Sequence, residues 1–267
     1  TTIRSALPEP VAQAIARLIG FRLEGESPDP KALHRAVLRS GVFAEAELHA
    51  GRPPTGDFKP AVLALRQALT QWLGRDAGSH PHETKPAPPQ RGGQLAGERP
   101  VAPAPADSAE ELGQRLLTRA DGALHRVRLL QMASLPDRAA DSHADRPPTV
   151  VELPLALPGG TGTVQLSIQR DGKGKSDARQ RGWRVRFSLD PGEAGPTHAG
   201  VDLDASDAVS VSLYAENEAM AALLEAHADE LRAGLEAAGV ETRAITARKG
   251  RPRAAETRAG FFLDRLS

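Results

Sequence analysis

Apolar residues recur at helical spacing through the first 75 residues of the chain. The first apolar face has residues four positions apart: Val11, Ile15 and Ile19. Asp29 and Asp57 each stand directly before a further apolar stretch, where an aspartate side chain can cap a helix. The pattern predicts that residues 1–75 form a small helical N-terminal module.

Between residues 149 and 249 the apolar residues instead recur at every second position, which is typical of strands with one buried face. The alternating stretches are 151–157, 164–168, 183–189, 199–203 and 209–213, followed by a last short strand over 242–247. The turn Pro158-Gly159-Gly160 between the first two stretches indicates a hairpin. Strands joined by short turns predict an antiparallel sheet.

One long amphipathic helix is predicted over residues 217–238, with Asn217 as its N-cap and Gly239 as its C-terminal stop. Its apolar face consists of Met220, Leu223, Leu224, His227, Leu231 and Leu235. We expect this face to pack on the sheet, with His227 partly buried at the edge of the core. The fold class expected is therefore α+β, with residues 149–249 forming an antiparallel sheet packed with one long helix.

Polar segments separate these regions. Residues 76–107 are rich in proline and almost devoid of large apolar side chains, so we predict a Pro-rich flexible linker. Ser108 and Glu111 form a capping-box pattern that opens a helical segment over 108–133, and Asp121-Gly122 marks a possible break in it. Two more segments are predicted: a second linker over 134–148 and a basic tail over 250–267.

Composition and charge exclude several classes of function. The chain has no cysteine, which rules out disulfides, thiolate zinc sites and cysteine nucleophiles. Aromatic residues make up only 3%, too few for a base-stacking nucleic-acid platform. The net charge is zero, but residues 149–240 hold 14 acidic against 8 basic side chains, whereas 241–267 hold 3 against 7. An acidic domain is thus followed by a basic tail.

No catalytic or metal-binding motif is present. Asp202–Asp207 superficially resembles a calcium loop, but Asp207 and Leu213 stand where an EF-hand needs glycine and a carboxylate. The glycine-rich stretches at 159–162 and 172–174 lack Walker spacing. We therefore expect no enzymatic activity, no metal and no cofactor.

Four stretches in the C-terminal region follow one another in a distinctive order. They are Trp183–Pro191 with the turn glycine Gly195, Val201–Leu203, Val209–Glu216, and Leu223–Gly239 with its core of Leu231, Arg232 and Leu235. Together these stretches, which lie within residues 183–239, resemble the C-terminal domain of the flagellar hook-length control protein family. One departure is Ala194, where that family usually has leucine; because proline fixes φ and glycine tolerates positive φ, we expect the turn to form nonetheless.

The resemblance implies a role in flagellar assembly. Family members are exported through the flagellar type III apparatus, and their C-terminal domain contacts the cytoplasmic domain of the export-gate switch protein. This contact changes export from hook-type to filament-type substrates. The resemblance further implies hook and hook-cap proteins as partners, no membrane insertion, and a cytoplasmic location followed by export.

On this interpretation the partner-binding residues are Pro191, Glu193 and Gly195 of the turn, together with Glu225 and Arg232 on the outward face of the predicted helix. An alternative comes from the basic stretch that follows the last strand. Its sequence resembles the Gly-Arg-Pro core of an AT-hook, which enters the minor groove of DNA. In a DNA-binding or adaptor protein the contacts would be made by Arg248, Lys249, Arg251 and Arg253.

Overall fold

The computed structural model describes residues 7–24, 29–52, 56–74, 93–100, 106–135, 148–170 and 182–252. The chain divides into two compact units. The first contains Thr1–Pro88, Arg99–Met132 and Val151–Val164, and the second contains Pro89–Glu98, Ala133–Val150 and Gln165–Ser267. Most of both predicted linkers, and the basic tail from residue 253 onward, lie outside the described residues.

In the described residues, five helices precede the sheet. They are α1 (Glu9–Ile19), α2 (Pro30–Leu38), α3 (Ala44–His49), α4 (Phe58–Leu73) and α5 (Ala109–Ser134). The Asp29 carboxylate accepts a hydrogen bond from the Lys31 amide at 3.2 Å, and Asp57 accepts one from Lys59 at 2.9 Å. Ser108 Oγ accepts one from the Glu111 amide at 3.0 Å. These contacts confirm the three helix caps predicted from the sequence.

Helices α1, α4 and α5 share the apolar core of the first unit. Its buried members are Val11, Val62, Leu65, Leu69, Leu117, Ala120 and Leu124. Helix α5 runs through Asp121 and Gly122 without a break, although the sequence of this pair had suggested one. Asp121 is instead paired with Arg66 of α4, with Nε and Oδ1 2.5 Å apart. Packing between helices therefore overrides the weak local helix propensity of this Asp-Gly pair.

The first unit also includes the strand β1 (Thr149–Leu157) from residue 151 onward. Val151 and Leu153 are almost fully buried, and between them Glu152 forms a two-pronged ion pair with Arg126 of α5, at 2.6 and 2.7 Å. Both charged side chains are less than a fifth exposed. Apolar burial and a well-shielded ion pair together fix β1 against α5.

Within the part of the chain that the structure describes, the sheet has six strands in the sequential order β1 to β6. The remaining strands are β2 (Gly160–Arg170), β3 (Trp183–Leu189), β4 (Thr197–Leu203), β5 (Ala208–Ala215) and β6 (Glu241–Lys249). The pairs β2–β3, β3–β4 and β4–β5 are antiparallel, whereas β5 and β6 are parallel. The α+β class is confirmed, and the sheet is mostly rather than wholly antiparallel.

A parallel pair needs a crossover connection, and two helices supply it here. They are α6 (Glu218–Ala226) and α7 (Ala228–Ala237), so the prediction of one unbroken helix over 217–238 is wrong. The interruption falls at His227, whose backbone angles are φ −100° and ψ 8°. The ends were predicted correctly, because Asn217 caps α6 and Gly239 follows α7 with a φ of +79°. Helix α6 packs against β5 and β6, and α7 packs against β6.

Candidate partner-binding surface

The turn between β3 and β4 is held by its own backbone and by a buried carboxylate. Asp190, which is 7% exposed, accepts a hydrogen bond from the Gly192 amide at 2.9 Å. The Gly195 amide donates to the Gly192 carbonyl at 3.0 Å, and both glycines have positive φ. The expectation that this turn forms with Ala194 in place of leucine is confirmed. A turn fixed in this way presents one defined backbone shape.

The turn lies beside the start of α6. A Cβ atom built on Gly195 would lie 3.7 Å from Asn217 Cβ, and the Glu216 amide donates to the Pro196 carbonyl at 3.1 Å. Glu193 is exposed, whereas Pro191 and Gly195 are half-buried. The structure thus joins the three predicted turn residues to the N-terminal end of α6.

The two predicted helix residues differ in exposure. Glu225 is exposed on α6, about 12 Å along the axis from Asn217 at 1.5 Å per residue. Arg232 on α7 is half-buried, so it does not belong to a fully outward face.

Two leucines assigned to the buried face are in fact exposed. Leu223 is 50% exposed and Leu231 is 37% exposed. Between them His227 is exposed too, with its Nδ1 2.9 Å from the Leu223 carbonyl oxygen, so its expected burial at the core edge is wrong. We call Leu223, His227 and Leu231 the helix patch. Sequence reasoning missed it because the apolar spacing continues through residue 227 without a glycine or proline to mark the interruption.

Basic residues of the DNA-binding alternative meet acidic residues at the start of α6. Lys249 Nζ lies 2.9 Å from a Glu218 carboxylate oxygen, and Arg251 pairs with Glu216. The Arg251 hydrogen bond lowers the pKa of Glu216, and the Lys249 bond lowers that of Glu218. Arg248 is exposed, and Arg253 lies outside the described residues. Two of the four cations are therefore already paired with carboxylates.

The Asp202–Asp207 loop is a turn with its hydrogen bonds made internally. Asp204 Oδ1 accepts bonds from the Ser206 amide and hydroxyl at 2.8 and 2.6 Å, and Asp204 also pairs with Arg243. In the part of the chain that the structure describes, no three metal-ligating side chains converge. Among the same residues, no helix is long and apolar enough to cross a membrane.

A row of polar residues crosses the sheet, and no sequence pattern predicted that it would be buried. Gln165, Ser188, His198 and Tyr214 lie directly opposite one another on β2, β3, β4 and β5. Opposed residues point to the same face of a sheet. Alternation alone places this polar row on a solvated face, yet Gln165, Ser188 and His198 are 4%, 1% and 5% exposed.

Burial determines which protonation state His198 prefers. Desolvation lowers the pKa of this imidazole from its ordinary value of 6.5, while the nearby Glu216 raises it and Arg251 lowers it. The closest Glu216 oxygen lies 3.6 Å from His198 Nε2, beyond a direct hydrogen bond, and Nε2 has no hydrogen-bond partner among the described residues. The folded protein therefore favours neutral His198.

This preference predicts a pH dependence of stability. Since the unfolded chain binds the proton more readily, stability from this group is present at neutral pH and is lost as pH falls below about 6.5. We expect His198→Gln to flatten the decline in the free energy of unfolding between pH 7.5 and 5.5, measured by urea titration. The control is His227→Gln, at an exposed imidazole. An unchanged decline in His198→Gln would contradict the assignment.

The part of the chain that carries these features matches a known protein family. Residues 158–256 match the family model described as flagellar hook-length control protein FliK. The match confirms the resemblance seen over residues 183–239, and its range includes the turn, the helix patch and β6. No significant match to the chain was found among curated proteins, and none among solved structures.

Proposed function

We propose that the chain couples hook growth to the switch in type III export specificity, because residues 158–256 match the family model of the flagellar hook-length control proteins. The family is a non-enzymatic one that regulates flagellar assembly. In this proposal the C-terminal domain binds the cytoplasmic domain of the export-gate switch protein. Hook and hook-cap proteins are the further partners, and the chain acts from the cytoplasm before it is exported through the flagellar type III apparatus.

The observation that carries the proposal is the exposed helix patch on α6 and α7. Leucine side chains left in water on a helix that otherwise packs on the sheet favour a protein partner, because covering them removes apolar surface from water. Glu225 is exposed on α6 as well, but it lies two residues from both Leu223 and His227 and therefore on another side of the helix. We assign the docking of the export gate to the helix patch.

The turn supports the same assignment. Its two positive-φ glycines and the Asp190 anchor fix its shape before binding, so less conformational entropy is lost on docking. Glu193 at its tip is exposed and available to a basic partner. Pro191, Glu193 and Gly195, beside the N-terminus of α6, would form the second half of the contact.

A gene deletion tests this function. A strain that lacks the gene is expected to build overlong hooks without filaments, because nothing ends the export of hook-type substrates. Hook lengths are measured on purified hook–basal bodies by electron microscopy, with the deletion strain carrying the gene on a plasmid as control. Hooks of normal length with filaments in the deletion strain would contradict the proposal.

A further inference from the structure

We propose that the buried part of the polar row, Gln165, Ser188 and His198, lines a binding groove for an extended peptide. Residues 93–98 of the same chain occupy this groove. These residues fall within the range whose composition predicts a linker. Burial alternates over residues 93–97, since Leu95 and Gly97 are half-buried whereas Gln94 and Ala96 are exposed. Alternation of this kind is typical of an extended chain lying on a surface. The inference does not depend on the proposed export-gate contact.

Side chains of the polar row hold this segment by its backbone. The Ala96 amide donates a hydrogen bond to Gln165 Oε1 at 3.1 Å, and the Gly97 amide donates to Ser188 Oγ at 3.0 Å. Gln165 and Ser188 are register partners on β2 and β3, and both are almost fully buried. Bonds to main-chain amides bind an extended backbone whatever its side chains are.

Residue 97 must be a glycine, because its backbone lies too close to the backbone of residues 188–190 to leave room for a side chain. A Cβ atom there would lie 2.5 Å from Leu189 Cα, 2.7 Å from the Ser188 carbonyl oxygen and 2.8 Å from the Asp190 amide nitrogen. All three neighbours are backbone atoms of β3 or of its end, and they cannot rotate away as a side chain could. The groove therefore selects a glycine at this place in its ligand.

Buried polar side chains are concentrated around the groove. Four of the six buried polar side chains in the described part of the chain lie at this end of the sheet: Gln165, Ser188, Asp190 and His198. Burial of so many polar groups costs free energy unless each of them has a hydrogen-bond partner. The Ala96 and Gly97 amides supply partners to Gln165 and Ser188, and the Gly192 amide supplies one to Asp190. The ligand class is an extended, glycine-containing peptide.

Hydrogen exchange on the full chain tests the intramolecular contact. The amides of Ala96 and Gly97 are expected to exchange at least about 10-fold more slowly than in a free peptide, and Gly97→Ala is expected to abolish this protection. Gly200→Ala is the matched control, because a Cβ on Gly200 in β4 meets no atom within 4 Å. Unprotected amides in the wild-type chain, or full protection retained in Gly97→Ala, would overturn the proposal.

A synthetic peptide of residues 93–100 tests the groove itself. In the full-length Gly97→Ala chain, where the groove is vacated, the peptide at millimolar concentration should cause saturable shifts in the NMR signals of Gln165 and Ser188. In the wild-type chain the tethered segment competes, so the apparent affinity should be at least about 10-fold weaker. The same peptide with alanine in place of its glycine should not bind. Equal binding of the two peptides, or no shifts in the Gly97→Ala chain, would overturn the proposal.

Discussion

The double substitution Leu223→Ser/Leu231→Ser is expected to keep the flagellar export apparatus in its hook-type state. Each leucine is roughly half exposed, and covering the exposed part contributes about 1 kcal/mol of binding free energy. Loss of both side chains should weaken docking by about 2 kcal/mol, or roughly 30-fold. Immunoblots of the culture medium should then show hook-type substrates in excess and filament-type substrates at the level of the deletion strain.

A matched control separates this effect from a general loss of exposed leucines. Leu48 on α3 and Leu63 on α4 are 64% and 46% exposed, and both belong to the first unit. The variant Leu48→Ser/Leu63→Ser should switch to filament-type export like the wild type. If it blocks the switch as strongly as the helix-patch variant does, the effect does not come from the surface on α6 and α7.

The second large effect concerns stability. Leu69→Ala in α4 is expected to lower the free energy of unfolding by about 2–5 kcal/mol, because it leaves a cavity in the core of the first unit. Leu69 is fully buried, and it shares that core with Val11 of α1 and Leu117 of α5. Urea unfolding followed by circular dichroism measures the change in the full chain.

Leu63→Ala serves as the comparison, since the same side chain is removed from the same helix at an exposed position. Its unfolding free energy should stay within about 0.5 kcal/mol of the wild type. Equal stability of the two variants would mean that α1, α4 and α5 do not share a core. Helix α5 would then be independent of the N-terminal helices.

Local features of the fold were predictable from the sequence. Asp29, Asp57 and Asn217 cap helices because a short polar side chain reaches the amides of the next turn, a contact contained within a few residues. The β3–β4 turn was predictable for the same reason, through Pro191 and Gly195.

The errors arise where distant parts of the chain meet. The apolar spacing of Leu223 and Leu231 fits one continuous helix with a buried face, but the helix is interrupted at His227 and both leucines are exposed. The β5–β6 pair is parallel because a crossover joins its strands, which the alternation in either strand does not encode.

The polar row was missed for a related reason. Alternation correctly places Gln165 and Ser188 on the polar face of the sheet. Their burial depends in part on residues 93–98, which lie about 70 to 90 positions earlier in the chain. No periodicity within a strand can reveal which segment will cover it.

Direct titration of the full chain with the purified cytoplasmic domain of the export-gate switch protein tests the central claim most directly. Isothermal titration calorimetry should give saturable binding for the wild type and for Leu48→Ser/Leu63→Ser, with affinity roughly 30-fold weaker for Leu223→Ser/Leu231→Ser. Absence of binding by the wild-type chain, or equal affinity of the wild type and the helix-patch variant, would contradict the account.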